Sequence, residues 1–191
     1  MTMRVTFELQ PDDLKHFRLI MREAREAAKS LPPEEILKAA KSLLREIEDA
    51  KVPNFIEERL KRLRTLIGMV EDDEWRLPQE ETTRVLNALT YFAEPEDLIP
   101  DHIPGLGFLD DAIMIELVAR ELRHEIEAYD DFCAFREREG ARRRSKGLQD
   151  DVTRKEWLHT RRTELMSRMR RRRRRDRSGR RSGGRSPMSL L

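Results

Sequence analysis

Pro95-Glu-Asp-Leu-Ile-Pro-Asp-His-Ile-Pro-Gly-Leu-Gly-Phe-Leu-Asp-Asp111 is the stretch from which the rest of the chain is read. Its prolines, glycines and aspartates cannot continue a helix, because Pro100 and Pro104 lack an N–H and push the preceding residue out of the helical region. It is nonetheless no loose linker: Leu98, Ile99, Ile103, Leu106, Phe108 and Leu109 are interleaved with the breakers and demand burial. Asp97 and Asp110 stand where side-chain caps are wanted, the first opening a short turn and the second opening the following helix. The stretch is therefore a shaped corner that places a helix.

That helix is apolar on more than one side. Ala112, Ile113, Met114, Ile115, Leu117, Val118 and Ala119 leave only Glu116 polar, the pattern of a helix surrounded by protein. Further on, Leu122, Ile126, Tyr129 and Cys133 recur every three or four residues, so the helix emerges at the surface and ends near Arg138. Before the corner, Pro78 opens a helix with Val85, Leu86, Leu89 and Phe92 on its apolar side. Trp75, in the acidic connection from Glu71 to Leu77, is expected over the edge of the bundle.

Three more apolar seams precede it: Leu14, Phe17, Met21, Ala24, Ala28 and Leu31; Ile36, Ala40, Leu43, Ile47 and Ala50; and Ile56, Leu60, Leu63, Ile67 and Val70. Pro11, Pro32, Pro33 and Pro53 punctuate them, and short connections make antiparallel neighbours. Met3, Val5, Phe7 and Leu9 alternate with polar residues, a strand-like arm that docks along the helices or pairs with its copy in a homodimer. The fold expected is an all-α bundle of five to six helices over residues 1–138.

Beyond it the sequence predicts a polar linker over 139–152. Thr153 and Glu156 form a capping-box signature for a basic helix over 153–169, and an Arg-rich tail over 170–191 has the composition of a disordered segment. Of the 191 residues 40% are charged and 38% apolar, the balance of a solvated helical protein. Thirteen arginines against Glu164 and Asp176 give residues 161–191 a charge of +11, so residues 1–160 carry −9 of the overall +2. A single cysteine, Cys133, excludes an internal disulfide and fits a reducing compartment. With no apolar run of about 18 residues and no leader, the expected location is cytoplasmic, peripheral at most to a membrane.

The pattern Pro-x-Asp-Leu-Ile-Pro-Asp-x-Ile-Pro-x-x-Gly-x-Leu-Asp-Asp, carried by Pro95, Asp97, Leu98, Ile99, Pro100, Asp101, Ile103, Pro104, Gly107, Leu109, Asp110 and Asp111, resembles the signature of the YkvA-like family, a bacterial domain of unknown function. The resemblance covers about residues 85–130 and implies a helical module, often membrane-associated, with no established activity. His102 stands where relatives carry a bulky apolar residue, and the helix after the motif carries Glu116, Arg120, Glu121, Arg123 and His124.

Two groups of residues are candidates for function. Asp97, Asp101, Asp110 and Asp111, with His102 nearby, are hard oxygen ligands of the kind Mg²⁺ or Ca²⁺ takes, and would serve a metal-dependent module or enzyme; caps explain Asp97 and Asp110 without a metal. Arg170, Arg171, Arg172, Arg173, Arg174 and Arg175 form a run that repels itself unless an anion is near. Three partners fit: an anionic membrane surface, nucleic acid bound through phosphates without base reading, or the protein's own acidic body. No nucleophile stands beside a base, since Cys133 is far from His102 and His159, and Gly105 and Gly107 lack the rest of a phosphate loop. The reading is a non-enzymatic interaction or adaptor module, tethered by its arginines.

Overall fold

The computed structural model describes residues 10–27, 31–50, 52–93, 108–147 and 151–182, and every regular element among them is helical. In chain order these are α1 (Pro11–Ala27), α2 (Pro33–Asp49), α3 (Asn54–Glu71), α4 (Gln79–Leu89) with a 3-10 turn at Thr90–Ala93, α5 (Leu109–Glu121), α6 (Arg123–Ser145) and α7 (Asp151–Ser182). The expected all-α class is what the chain adopts. The arm at residues 3–9, the corner up to Gly107, and residues 183–191 lie outside the described residues.

Prolines set the helix starts. Pro11 begins α1, and the Gln10 N–H donates to Asp13 Oδ2 at 2.8 Å, tying the first turn from its own side chain. Pro33 occupies the first turn of α2, and Pro78, extended at φ −60° and ψ 150°, precedes α4.

The chain divides into two compact units. The first comprises Met1–Val70 and Pro78–Glu121. In it α1 and α2 pack on α4 and on the 3-10 turn. Ile47 of α2, Ile56 and Leu60 of α3, and Phe108 and Ala112 at the start of α5 form one buried cluster. Polar ties bind the same helices: Arg25 of α1 donates to the Asn87 carbonyl at 3.0 Å and to Glu121 at 2.9 Å. Arg59 of α3 pairs with Glu116 of α5 at 3.5 Å.

The second unit comprises Glu71–Leu77 and Leu122–Leu191, with α6 packed on α7. Trp75, expected at a bundle edge, is fully buried here, its ring 5.0 Å from Phe132 and 5.7 Å from Tyr129. The acidic connection is thus part of a core. The expected single helix from Asp110 to Arg138 is interrupted at Leu122, a fully buried residue with φ −99° and ψ 18°. No proline or glycine marks that break. The helix after it runs to Ser145, which shortens the linker expected over 139–152. The last helix begins at Asp151, so Thr153 lies in its first turn and is not its cap.

The largest departure is at the other end of α7. The helix was expected to stop near Met169 with disorder from residue 170, yet it continues through all six arginines to Ser182. Carboxylates of α6 pair with part of the run from outside the helix, at Arg172 and Arg173.

Candidate functional site

The first candidate lies where the corner meets α5. Phe108 adopts φ 64°, a left-handed conformation that strains a bulky residue. Its ring is held in the apolar cluster, and its carbonyl accepts the Ala112 N–H at 3.0 Å, the first bond of the helix. Asp110, expected as the cap, sits one step further in. With Asp111 it occupies the first turn, where carboxylates favour the positive end of the helix dipole. Both are buried, at 2% and 6% exposure. Asp97, Asp101 and His102 lie outside the described residues. Among the described residues no three His, Cys, Asp or Glu side chains gather where a metal ion would be held.

The second candidate is built by α6 and α7, and it rests on an anchored base. Asp72 accepts four hydrogen bonds: from the N–H groups of Glu74 and Trp75 at 2.9 and 3.0 Å, from Tyr129 Oη at 3.0 Å, and from Arg136 Nη1 at 2.7 Å. Burial works to raise its carboxyl, but these donors prevail and hold it below its usual value. Glu74 receives Arg136 as well, at 3.1 Å, and pairs with Arg154 of α7. Phe135 and Trp157 stack at 3.9 Å, and Arg161 lies over Phe135 at 5.1 Å. Cys133 is half-buried beside this network, and burial raises its thiol above the usual value, the opposite of what a nucleophile needs.

Along α7, Leu158, Leu165, Met166 and Met169 are buried, and beyond Met169 the described helix carries no apolar residue. Its inner face is then held by charge. Arg172 pairs with Glu127 at 2.9 Å, and Arg173 with Glu125 at 3.0 Å, the glutamate fully buried and the arginine 14% exposed. Asp176 takes Arg123, and it lies 2.8 Å from His124 Nε2. Burial and the neighbouring Arg123 push the His124 ring below its usual value.

Helical spacing splits the arginine run in two. Arg172 and Arg173 pair with carboxylates of α6, while Arg171, Arg174, Arg175 and Arg177 are exposed. Arg170 is half-buried. Of the three partners expected for the run, part of it has met the third, the protein's own carboxylates. Glu125, Glu127 and His124 were not singled out in the sequence as its partners. The signal available was a cluster of acids on the helix face preceding a basic run.

The same unit also has a groove of about 440 Å³ lined by Asp73, Glu74, Arg76, Glu156, His159 and Arg162 among others. Acids and bases alternate around it, so it selects no single sign of charge.

The segment that includes most of α4 and most of α5 is also where the chain resembles other proteins. Residues 83–117 match the family described as Protein of unknown function (DUF1232). A stretch of 43 residues is 42% identical to a Bacillus subtilis (strain 168) protein named Uncharacterized membrane protein YkvA. Over this segment the chain is similar to that relative. The match takes in 22% of this chain and 41% of that relative, so it spans less than half of the relative's length. No solved structure matches the chain.

Proposed function

We propose that this YkvA-like protein is a non-enzymatic adaptor that docks on an anionic membrane surface through the outer face of α7, from the cytoplasmic side. The observation that carries this reading is the row of exposed guanidiniums, Arg171, Arg174, Arg175 and Arg177, on a helix that is itself anchored by Leu165, Met166 and Met169. Among the described residues that face holds no apolar side chain to insert into lipid, so attraction is electrostatic. At about 1 kcal/mol for each basic residue near the surface, four arginines supply about 4 kcal/mol, a reversible contact of about millimolar strength. The Bacillus subtilis relative, named a membrane protein, supports the same setting. Among the described residues no helix is long and apolar enough to cross a membrane.

The test is cosedimentation of the full chain with vesicles of equal parts phosphatidylglycerol and phosphatidylcholine. The wild-type chain sediments with them and not with pure phosphatidylcholine, and the Arg171→Glu, Arg174→Glu, Arg175→Glu variant stays in the supernatant. Absence of sedimentation with the anionic vesicles, together with salt-sensitive binding of the same chain to RNA, would overturn the membrane reading in favour of nucleic acid.

A further inference from the structure

We infer that α6 carries a built-in competitor for this anionic surface: Glu127 and Glu125 occupy Arg172 and Arg173 in the free protein, and the segment of α7 from Arg170 onward is a latch that an outside anion opens. The inference rests on the anion-binding reading of α7 and concerns how that face is regulated.

The reasoning follows from where the apolar contacts stop. Up to Met169 the helix is fixed by buried side chains, and salt or anions do not displace those. From Arg170 to Ser178 every side chain described is Arg, Asp or Ser. Adjacent arginines at spacings of three and four repel each other along a helix, so this portion depends on carboxylates for its helicity as well as its position. Those carboxylates are Glu127 on Arg172, Glu125 on Arg173, and Asp176 held by His124 and Arg123. A lipid phosphate offers an arginine what a glutamate offers, a bidentate anionic acceptor. An external surface dense in phosphate therefore competes for the same guanidiniums. The Arg172–Glu127 pair yields first, because both partners are about half exposed, at 49% and 53%. The Arg173–Glu125 pair, with its buried glutamate, yields last and sets the limit of opening.

Glu127→Gln removes the Arg172 partner at a residue that is exposed, outside the core and 3.9 Å from His124 Nδ1. Binding of the full-length chain to the phosphatidylglycerol vesicles is compared for wild type, Glu127→Gln, and the charge-matched control Glu137→Gln elsewhere on α6. Freeing one guanidinium is expected to tighten binding about fivefold in Glu127→Gln, while the control stays at the wild-type level. Hydrogen exchange of the amides from 171 to 178 is expected to quicken in Glu127→Gln without vesicles. Equal affinity of Glu127→Gln and wild type, with wild type binding, overturns the latch and leaves the adaptor reading standing. Equal tightening in the control shows that only net charge matters, and also overturns the latch. Absence of vesicle binding in all three chains overturns the adaptor reading itself.

Discussion

At Asp72 a single carboxylate closes the connection between α3 and α4 onto α6, and four donors converge on it. Removing it in Asp72→Ala leaves Tyr129 and two backbone N–H groups without their acceptor, and leaves Arg136 with Glu74 as its remaining carboxylate. A broken buried pair costs about 3–5 kcal/mol, and because Arg136 is partly solvated the expected loss is about 2–3 kcal/mol, read by urea unfolding. The same site sets a pH dependence. Its pKa is depressed in the folded state, so the folded protein binds fewer protons than the unfolded one and the stabilisation is present above the ordinary carboxylate range. It is lost as pH falls below about 4. Melting temperature followed down a pH series should fall more steeply for wild type than for Asp72→Asn. Phe108 marks another residue-scale balance: a left-handed backbone of about 1–3 kcal/mol in strain is retained because the ring fills the cluster of Ile47, Ile56 and Leu60.

At the scale of elements, periodicity made α1 to α4 legible, because each carries an apolar seam bounded by proline. Ile36, Ala40, Ile47, Ile56, Leu60, Leu63, Ile67, Val85, Leu86 and Leu89 are buried as the spacing predicts. What spacing hides is a break without a breaker: Leu122 ends α5 by its conformation, and nothing in Ala119-Arg-Glu-Leu-Arg-His124 announces it. The length of α7 was hidden for a different reason. Helix propensity reads a residue against its neighbours in sequence, and the carboxylates that relieve Arg172 and Arg173 lie 45 and 48 residues earlier. The two portions of α7 should respond differently to truncation. Leu165→Ala is expected to cost about 2–4 kcal/mol in denaturant unfolding, whereas Arg172→Ala, at a half-exposed pair, should cost less than about 1 kcal/mol.

For the whole molecule the decisive property is charge asymmetry, −9 over residues 1–160 against +11 beyond. The asymmetry is legible in the sequence, but its disposition is not, because the fold pairs Arg172 and Arg173 with α6 while Arg171, Arg174, Arg175 and Arg177 are exposed. Screening then governs the interaction. Between about 0.01 and 0.15 M salt the Debye length falls from about 30 to about 8 Å, so vesicle affinity should drop by at least about tenfold across that range. An affinity indifferent to salt, measured by the same sedimentation, would rule out a contact made by exposed guanidiniums. Of the four aspartates singled out before α5, Asp110 and Asp111 are among the described residues and lie buried in the first turn of the helix, where the helix dipole gives them structural work.

The placement of Trp75 has a consequence for the newborn chain. Asp72 and the indole beside it leave the ribosome well before their partners, since Tyr129 follows Asp72 by 57 residues. At about 5–20 residues per second that interval is roughly 3–11 s, during which a large aromatic ring has no core to enter. Chaperones that hold exposed apolar segments have their natural opportunity there, and a pause in synthesis between α4 and α6 would lengthen it.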